Sequence, residues 1–323
     1  MPKLIFDDTS EMFARVSTAY DLPRLQKSRV VVVGCGGSRG YIESLARTGI
    51  GELVLIDPDT SSLTNVGTQS ATFSEEGVSK VECVRRRVLD INPNMSVVVR
   101  QKRFEEIEKS DLEYLLIEPW QESFGTPIQT MLVLSTDNFD AQSFGNRVAL
   151  HYGLPSVAAQ MYQDGTGAEL TFTIPGVTPA CHRCALAMRY RAYLQEGFKN
   201  TTTSHGTPVF CADRINASLG IISLMVLHYG GSHPRWNQML EGVGNRNLIQ
   251  LDLLPQTPLA IFNRVYSGAD QTRTFFDNSV WLPQQQDHPE SNGHAVCPDC
   301  GGSGDLRNAI GSFNDDLYQM RGA

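Results

Sequence analysis

The chain has 323 residues, of which 41% are hydrophobic and 19% charged, a balance that suits a globular protein with a sizeable core. Its formal net charge of −8 argues against a general nucleic-acid-binding protein, because a phosphate backbone requires clustered cations. No cationic segment followed by an apolar run begins the chain, and we see no apolar stretch that approaches membrane-spanning length. We therefore expect a cytoplasmic protein that binds no nucleic acid and no membrane.

Strands and helices alternate along the first half of the sequence. Residues 1–28 are predicted to form a helical lead-in, and apolar runs predict strands at 30–33, 53–56, 97–99, 131–134, 156–159 and 169–174. Helical spacing is seen after the first strand, at 80–89, around 140–151 and at 212–228. This alternation predicts an α/β fold with a doubly wound, mostly parallel sheet. We place a nucleotide-binding core at 29–175 and the remainder of the same domain at 176–323.

A glycine-rich turn follows the first strand, with glycines at Gly34, Gly36 and Gly37. Glycines let the backbone approach a phosphate, and the following helix offers unpaired N–H groups and its positive end. Asp57 ends the next strand 23 positions after Gly34, close to the roughly 20 positions expected before a ribose-binding acid. The pattern predicts a nucleotide site, with a tight turn that binds nothing as the alternative. A second carboxylate, Asp59, exceeds what a nicotinamide site needs.

Three downstream segments are informative because of their order. They are LTNVGTQ at 63–69, GVSK at 77–80 and STDN at 135–138. Together with the glycine turn, they resemble the motifs of the ThiF/MoeB family, whose adenylating fold is shared with ubiquitin-activating enzymes. The resemblance runs from about Arg15 to Cys300. It implies a Rossmann-like adenylation fold that uses ATP and Mg²⁺.

The resemblance also implies roles for individual residues. Asp57 would hold the ribose hydroxyls, Lys80 would neutralise phosphate charge, and Asp137 would hold Mg²⁺, since hard cations prefer carboxylates. The implied nucleotide-binding residues are Gly34, Gly36, Gly37, Asp57, Asp59, Asn65, Gln69, Lys80 and Asp137. The plainer alternatives are that Lys80 is a solvated helix charge and that Asp137 caps a helix.

Two positions depart from the family pattern. Thr68 stands where the family has an arginine before the glutamine, so a cation expected at the phosphates is missing. The glycine turn carries Arg39 at its sixth position. We expect Arg39 or Arg15 to supply the missing charge, because the family often places an amino-terminal arginine near ATP at the position of Arg15.

Four of the seven cysteines form two Cys-x-x-Cys pairs, Cys181 with Cys184 and Cys297 with Cys300. Without a secretion signal, cysteines indicate thiol or metal chemistry more than disulfides. Four thiolates suit structural Zn²⁺, whereas a single pair is also typical of redox chemistry. The paired arrangement favours Zn²⁺, and the family resemblance implies that the site pins the carboxy-terminal segment to the domain.

Cys211 lies just before the helix predicted at 212–228. Some relatives use a cysteine in this region to accept the activated acyl group or to carry sulfur. A helix start lowers the pKa of a thiol, which would favour reactivity. A buried small hydrophobic residue is the alternative, and we interpret Cys35 and Cys83 in that way.

The sequence thus favours an ATP-dependent adenylyltransferase that activates the carboxy terminus of a small ubiquitin-like or sulfur-carrier protein, and we expect a homodimer. Activation of a ribosomally made peptide is an alternative substrate. A catalytically weak dimeric scaffold is a third hypothesis, supported by Thr68. A nicotinamide oxidoreductase is the fourth, and Asp59, Lys80 and Asp137 argue against it.

Overall fold

The computed structural model describes residues 10–118, 127–162, 165–199, 206–244, 246–253, 279–282 and 297–300. Its strands form one eight-stranded sheet in the order β3-β2-β1-β4-β5-β6-β7-β8. The strands are β1 (Ser28–Val33), β2 (Glu52–Ile56), β3 (Ser96–Arg100), β4 (Gln129–Leu134), β5 (Ser156–Met161), β6 (Gly167–Thr173), β7 (Leu248–Asp252) and β8 (Ser279–Leu282).

Helices cover both faces of the sheet. They are α1 (Ser10–Phe13), α2 (Leu22–Gln26), α3 (Arg39–Ala46), α4 (Lys80–Ile91), α5 (Lys109–Leu116), α6 (Phe139–His151), α7 (His182–Ala185), α8 (Ala187–Leu194), α9 (Val209–Leu227) and α10 (Pro234–Val243). Val30 and Val32 pack into a core with α3, α4 and α9, whereas Val31 and Val33 pack into a second core with α5 and α6. Because side chains of a strand alternate in direction, this split confirms the doubly wound fold.

Five neighbouring strands, from β3 to β5 in sheet order, run parallel, with Val30 in register with both Leu53 and Met131. The predicted strands are all present. Beyond β5 the pairing becomes antiparallel, through β6, β7 and β8. The short connection between β5 and β6 explains the change, because a parallel crossover needs a dozen or more residues.

The strand order reverses between β1 and β4, and this is where the backbone comes closest together. Gly34, directly after β1, has φ +90°, and a Cβ atom there would clash with the carbonyl of Ser135 after β4. Glycine is therefore required at this position. In such sheets a crevice opens beyond the carboxyl ends of the two strands, where ligands bind.

Helix α9 is strongly apolar, with a mean hydropathy of 1.5. Its 19 residues are long and apolar enough to cross a membrane by length and composition alone, contrary to our reading of the sequence. More than half of the segment is buried, and α9 packs against α3, β5 and β6. We therefore assign α9 to the protein core, where a helix can be apolar on most of its surface.

The described part of the lead-in attaches to the end of α9 and the start of α10. The Trp236 indole N–H donates to the Ala19 carbonyl (2.9 Å), and the His228 Nε2 accepts from the Asp21 backbone N–H (2.9 Å). The other ring nitrogen of His228 lies 2.7 Å from the Leu224 carbonyl. His228 is fully buried and must be neutral to accept at Nε2 while donating at Nδ1.

This arrangement predicts a pH dependence of stability. Burial of His228 lowers its pKa, so the unfolded chain binds the proton more tightly than the folded protein does. The stabilising contribution is complete above the unfolded pKa of about 6.5 and is lost as the pH falls below it. We expect the urea midpoint of the wild type to fall between pH 7.5 and 5.5 by more than that of His228→Gln, which keeps a donor and an acceptor. Parallel decreases in the two proteins would contradict this assignment.

Candidate functional site

A cavity of about 340 Å³ lies at the carboxyl ends of β1, β2 and β4. We call it the central cavity. It brings together eight of the predicted site residues, namely Gly34, Gly36, Gly37, Asp57, Asp59, Gln69, Lys80 and Asp137. Arg15, Arg39, Asn65 and Cys211 are not among the residues that line it. The structure therefore brings most of the predicted nucleotide-binding residues together. Arg15 and Arg39, the two candidates for the missing positive charge, are not part of the cavity lining.

The Asp57 carboxylate holds the glycine turn against the second strand. Its Oδ2 accepts from the backbone N–H of Cys35 (2.7 Å), and its Oδ1 accepts from that of Asp59 (2.9 Å). Burial raises the pKa of Asp57, while the charge of Lys80 opposes that shift. Each carboxylate oxygen keeps further acceptor capacity, so Asp57 can also accept hydrogen bonds from a ligand's hydroxyls.

The glycine turn itself presents hydrogen-bond donors. Among the described residues, the N–H groups of Gly36 and Gly37 have no acceptor. A Cβ atom at Gly37 would meet nothing within 4 Å, so this part of the backbone is open to a ligand. Such N–H groups at the start of a helix form a favourable site for a phosphate.

Lys80 is buried at the start of α4 and extends toward the cavity. Its ammonium group pairs with Asp59 Oδ2 at 2.9 Å, and only 9% of its side chain is exposed, against 61% for that of Asp59. Lys80 is therefore not a solvated helix charge. A lysine held in this way provides a fixed positive charge beside the acidic strand end.

Gln69 packs against the glycine turn. A Cβ atom at Gly36 would lie 2.5 Å from its Oε1, and that oxygen is buried with no hydrogen-bond partner among the described residues. Because a primary amide can present either its oxygen or its NH₂ group, the side chain can serve an acceptor or a donor on a ligand. The orphaned amide, the open glycine backbone and buried Lys80 together fit a nucleotide phosphate.

Asp137 lies exposed at the end of β4 and lines the cavity. The adjacent helix α6 is capped by its neighbour Asn138, whose side chain accepts from the Ala141 N–H (3.1 Å). Asp137 is thus not the helix cap. Asp137 and Asp57 both line the cavity and provide carboxylate oxygens, the ligands that a hard divalent cation prefers.

Three other candidates have different surroundings. Arg39 is buried and donates to Glu75 and to Ser61 Oγ. The amide oxygen of Asn65 accepts from the backbone N–H of Ser62 (3.0 Å), which closes a short 3₁₀ turn. Arg15 is exposed on a 3₁₀ turn near the amino terminus.

Sequence reasoning missed several residues of the cavity. Lys102 and Arg103 line it just beyond β3, and Tyr162 lines it beyond β5. Asn216 on α9 donates to the Gly37 carbonyl (2.8 Å), which ties α9 to the glycine turn. The position of Lys102 and Arg103 after a parallel strand was a usable signal, because carboxyl strand ends meet at one edge. The contact of Asn216 crosses 179 positions and leaves no local pattern.

The four paired cysteines form one cluster. All four sulfur atoms lie within 4.8 Å of one another, with Sγ separations of 3.8 Å (Cys181 to Cys184), 4.0 Å (Cys181 to Cys297) and 3.4 Å (Cys184 to Cys300). A tetrahedral Zn²⁺ with Zn–S bonds of about 2.3 Å requires S···S separations of about 3.8 Å. The donor set and spacing therefore fit a four-coordinate structural Zn²⁺.

Contacts around the cluster hold the two pairs together. Asn146 on α6 donates to Asp299 (2.7 Å) and to Cys181 Sγ (3.7 Å), and its oxygen accepts from the His182 N–H (3.2 Å). Arg183 forms an ion pair with buried Asp299 at 3.1 Å. Such outer contacts orient metal ligands, as expected for a site that fastens the second pair to the domain.

Cys211 lies within the first turn of α9, because the helix begins at Val209 and not at residue 212. Only 1% of the residue is exposed. Burial raises the pKa of its thiol, and nearby Arg214 offsets that only in part. Of the two alternatives for Cys211, the raised pKa and the burial of the side chain favour a buried small residue over a thiol activated at a helix start. Cys35 and Cys83 are buried as expected.

The cysteine cluster can be tested by metal analysis. We expect one Zn²⁺ per chain, and we expect Cys184→Ser to lose it and to lower the thermal midpoint by at least about 5 °C. Cys211→Ser is the matched control, since it removes a buried thiol outside the cluster and should keep the metal. Wild-type protein purified without metal, or Cys184→Ser that retains full metal content, would contradict the assignment.

A doubly wound sheet with a glycine turn and an acidic strand end at its reversal point defines a nucleotide-binding domain of the Rossmann-like class. The model of the ThiF family matches residues 9–229, and the chain belongs to this family.

Individual relatives are more distant. The chain is 28% identical over 215 residues to ubiquitin-like modifier-activating enzyme 5 of Aedes aegypti, covering 66% of this chain and 52% of the relative. It is 30% identical over 173 residues to the enzyme of that name from Drosophila willistoni, covering 53% and 42%. The chain thus spans about half the length of the curated relatives it matches.

Solved structures share the fold. The crystal structure of E. coli MccB with ATP aligns with a TM-score of 0.52 and 22% identity, covering 71% of this chain and 62% of that one. The structure of PaaA aligns with a TM-score of 0.54 and 18% identity, covering 78% and 82%. At these identities the comparison establishes the common architecture.

Proposed function

We propose that this protein is an ATP-dependent adenylyltransferase that activates the carboxy-terminal carboxylate of a small ubiquitin-like or sulfur-carrier protein. The observation that carries the proposal is the central cavity, where Asp57, Lys80 and Asp137 meet the open glycine turn. Family membership and the names of the curated relatives support it.

In the proposed reaction, a carboxylate oxygen of the partner attacks the α-phosphorus of ATP. The new bond joins that oxygen to phosphorus, the bond to the bridging oxygen breaks, and pyrophosphate leaves with its electrons. Negative charge moves onto the leaving group, so the protein must supply positive charge and donors that are already in place. Lys80 and the N–H groups of Gly36 and Gly37 meet this need.

The remaining residues orient the nucleotide. Asp57 would accept hydrogen bonds from the ribose hydroxyls with the acceptor capacity that the backbone N–H groups leave, and the Gln69 amide would contact the phosphate chain. Asp137 would hold Mg²⁺, which would neutralise phosphate charge when bound. Lys102 and Arg103, which also line the cavity, would add positive charge that Thr68 does not supply.

The protein is proposed to act as a cytoplasmic homodimer. The carboxy terminus of the small carrier protein would enter the cavity past Tyr162. A ribosomally made peptide is the second candidate substrate, favoured by the likeness of the fold to MccB, which has been crystallised with the peptide MccA. A panel of ubiquitin-like proteins and short peptides distinguishes these substrates.

Pyrophosphate exchange into ATP tests the reaction. Exchange should require a carboxylate partner, and Lys80→Ala should lower its rate by about 100-fold or more because a fixed charge at the phosphates is lost. Asp137→Asn should also reduce exchange and raise the Mg²⁺ concentration needed. Lys109→Ala, an exposed lysine on α5, is the matched control and should leave exchange unchanged. Full exchange in Lys80→Ala would contradict the proposed site.

The role of Cys211 is tested separately. Because its thiol is buried and its pKa raised, Cys211→Ser should retain pyrophosphate exchange within about twofold and should form as much product as the wild type. Mass spectrometry of the intact protein after reaction with partner and ATP checks this. A thioester adduct that is present in the wild type and absent from Cys211→Ser would show that this cysteine accepts the acyl group.

A further inference from the structure

Arg39 lies in the glycine turn, where a positively charged side chain would be expected to contact a phosphate. The side chain is nevertheless 1% exposed and is not among the residues that line the central cavity. Its guanidinium group instead contacts the segment between β2 and α4. Its charge is therefore not available to a ligand in the described conformation.

The partners of Arg39 all belong to that segment. Its Nη1 pairs with the Glu75 carboxylate, which is itself only 12% exposed, and also donates to the Ser70 carbonyl (3.4 Å). Its Nη2 donates to Ser61 Oγ (3.4 Å). Arg39 thus joins the first turn of α3 to both ends of residues 61–75.

Ser70 is the point where these contacts affect the backbone. It adopts φ +54°, a left-handed conformation that is uncommon for a residue other than glycine. Its carbonyl accepts from Arg39 and also from Arg87 Nη1 on α4 (2.9 Å). A second contact fixes Glu75, whose carboxylate accepts from the Thr72 N–H (2.9 Å). Two arginines therefore hold the carbonyl of a residue in a sparsely populated conformation, as is often found at ligand sites.

The residue just before this constrained carbonyl is Gln69. Its side chain rests against Gly36, lines the cavity and has a buried amide oxygen without a partner among the described residues. Gln69 and Ser70 share a peptide bond, so the backbone at Ser70 helps to place Gln69, together with the hydrogen bond from the Gln69 N–H to the Asn65 carbonyl (2.8 Å). Displacement of Ser70 would move Gln69 away from the glycine turn.

We propose that Arg39 is a positioning residue that acts through Ser70 and Glu75 to hold Gln69 against the nucleotide. We call Arg39, Ser70 and Glu75 the Arg39 latch. The latch replaces our expectation that Arg39 contacts phosphate, and it rests on the proposed function in that the cavity takes ATP. In this family fold a glycine permits close packing at this point of the turn, whereas here a buried ion pair fastens the neighbouring segment.

A double-mutant cycle distinguishes the latch from a phosphate contact. Calorimetry would measure ATP affinity, with Mg²⁺, for Arg39→Ala, Glu75→Ala and the double variant. The latch predicts a loss of about 10-fold in each single variant and little further loss in the double variant, because both remove one interaction. Arg47→Ala, an exposed arginine just after α3, is the matched control and should bind ATP like the wild type. Loss of affinity in Arg39→Ala with wild-type affinity in Glu75→Ala would overturn the latch.

Amide hydrogen exchange without nucleotide provides a second measurement. Residues 68–76 should exchange faster in Arg39→Ala and Glu75→Ala than in Arg47→Ala and the wild type. Should Arg39→Ala not fold, Glu75→Gln provides the same comparison, since it keeps an acceptor for Thr72 and removes the charge. Arg39→Lys should restore part of the protection. Unchanged exchange in the Glu75 variants would overturn the latch.

Amide hydrogen exchange and ATP binding test the latch and the proposed function separately. A wild-type protein that does not bind ATP would contradict the proposed function and with it the nucleotide-positioning role, while faster exchange of residues 68–76 in the variants would still show that Arg39 and Glu75 hold this segment in place. Normal ATP binding with unchanged exchange and no coupling between positions 39 and 75 would refute the latch and leave the proposed function intact.

Discussion

The site depends on the close approach of two backbones at the point where the strand order reverses. Gly34 can lie against Ser135 because it has no side chain and adopts φ +90°. This approach brings the ends of β1 and β4 together, and the segments that follow the two strands separate beyond this point. The glycine turn, the acidic end of β2 and Asp137 then face one crevice. Any side chain at Gly34 would push apart the strands that position these groups.

Charge in the crevice is arranged around buried groups. Asp57 is desolvated but accepts hydrogen bonds from two backbone N–H groups, and the positive charge of Lys80 offsets its negative charge. Lys80 is in turn paired with Asp59, whose side chain remains largely exposed. Buried charges persist when they are paired and hydrogen-bonded. The carboxylates thereby shape the turn while a positive charge remains fixed beside it, as phosphate chemistry requires.

Local patterns predicted the strands, the glycine turn and the cysteine cluster, because each is encoded by neighbouring residues or a familiar spacing. The antiparallel pairing of β5 with β6 could have been predicted from the sequence, because the short connection between them excludes a parallel crossover. The pairing of Arg39 could not be predicted from the sequence, because its partner Glu75 lies 36 positions away and the two meet only in the folded chain. The choice between the two alternatives for Cys211 could not be made from the sequence, because the burial that raises the pKa of its thiol is a property of the tertiary packing.

The most direct test of the central cavity is a calorimetric titration with a non-hydrolysable ATP analogue and Mg²⁺, compared with NAD⁺ under the same conditions. The structure predicts one ATP-analogue site per chain, strongly weakened in Lys80→Ala, and no binding of NAD⁺. Saturable binding of NAD⁺ with no binding of the ATP analogue would contradict the account and return the glycine turn to a redox cofactor.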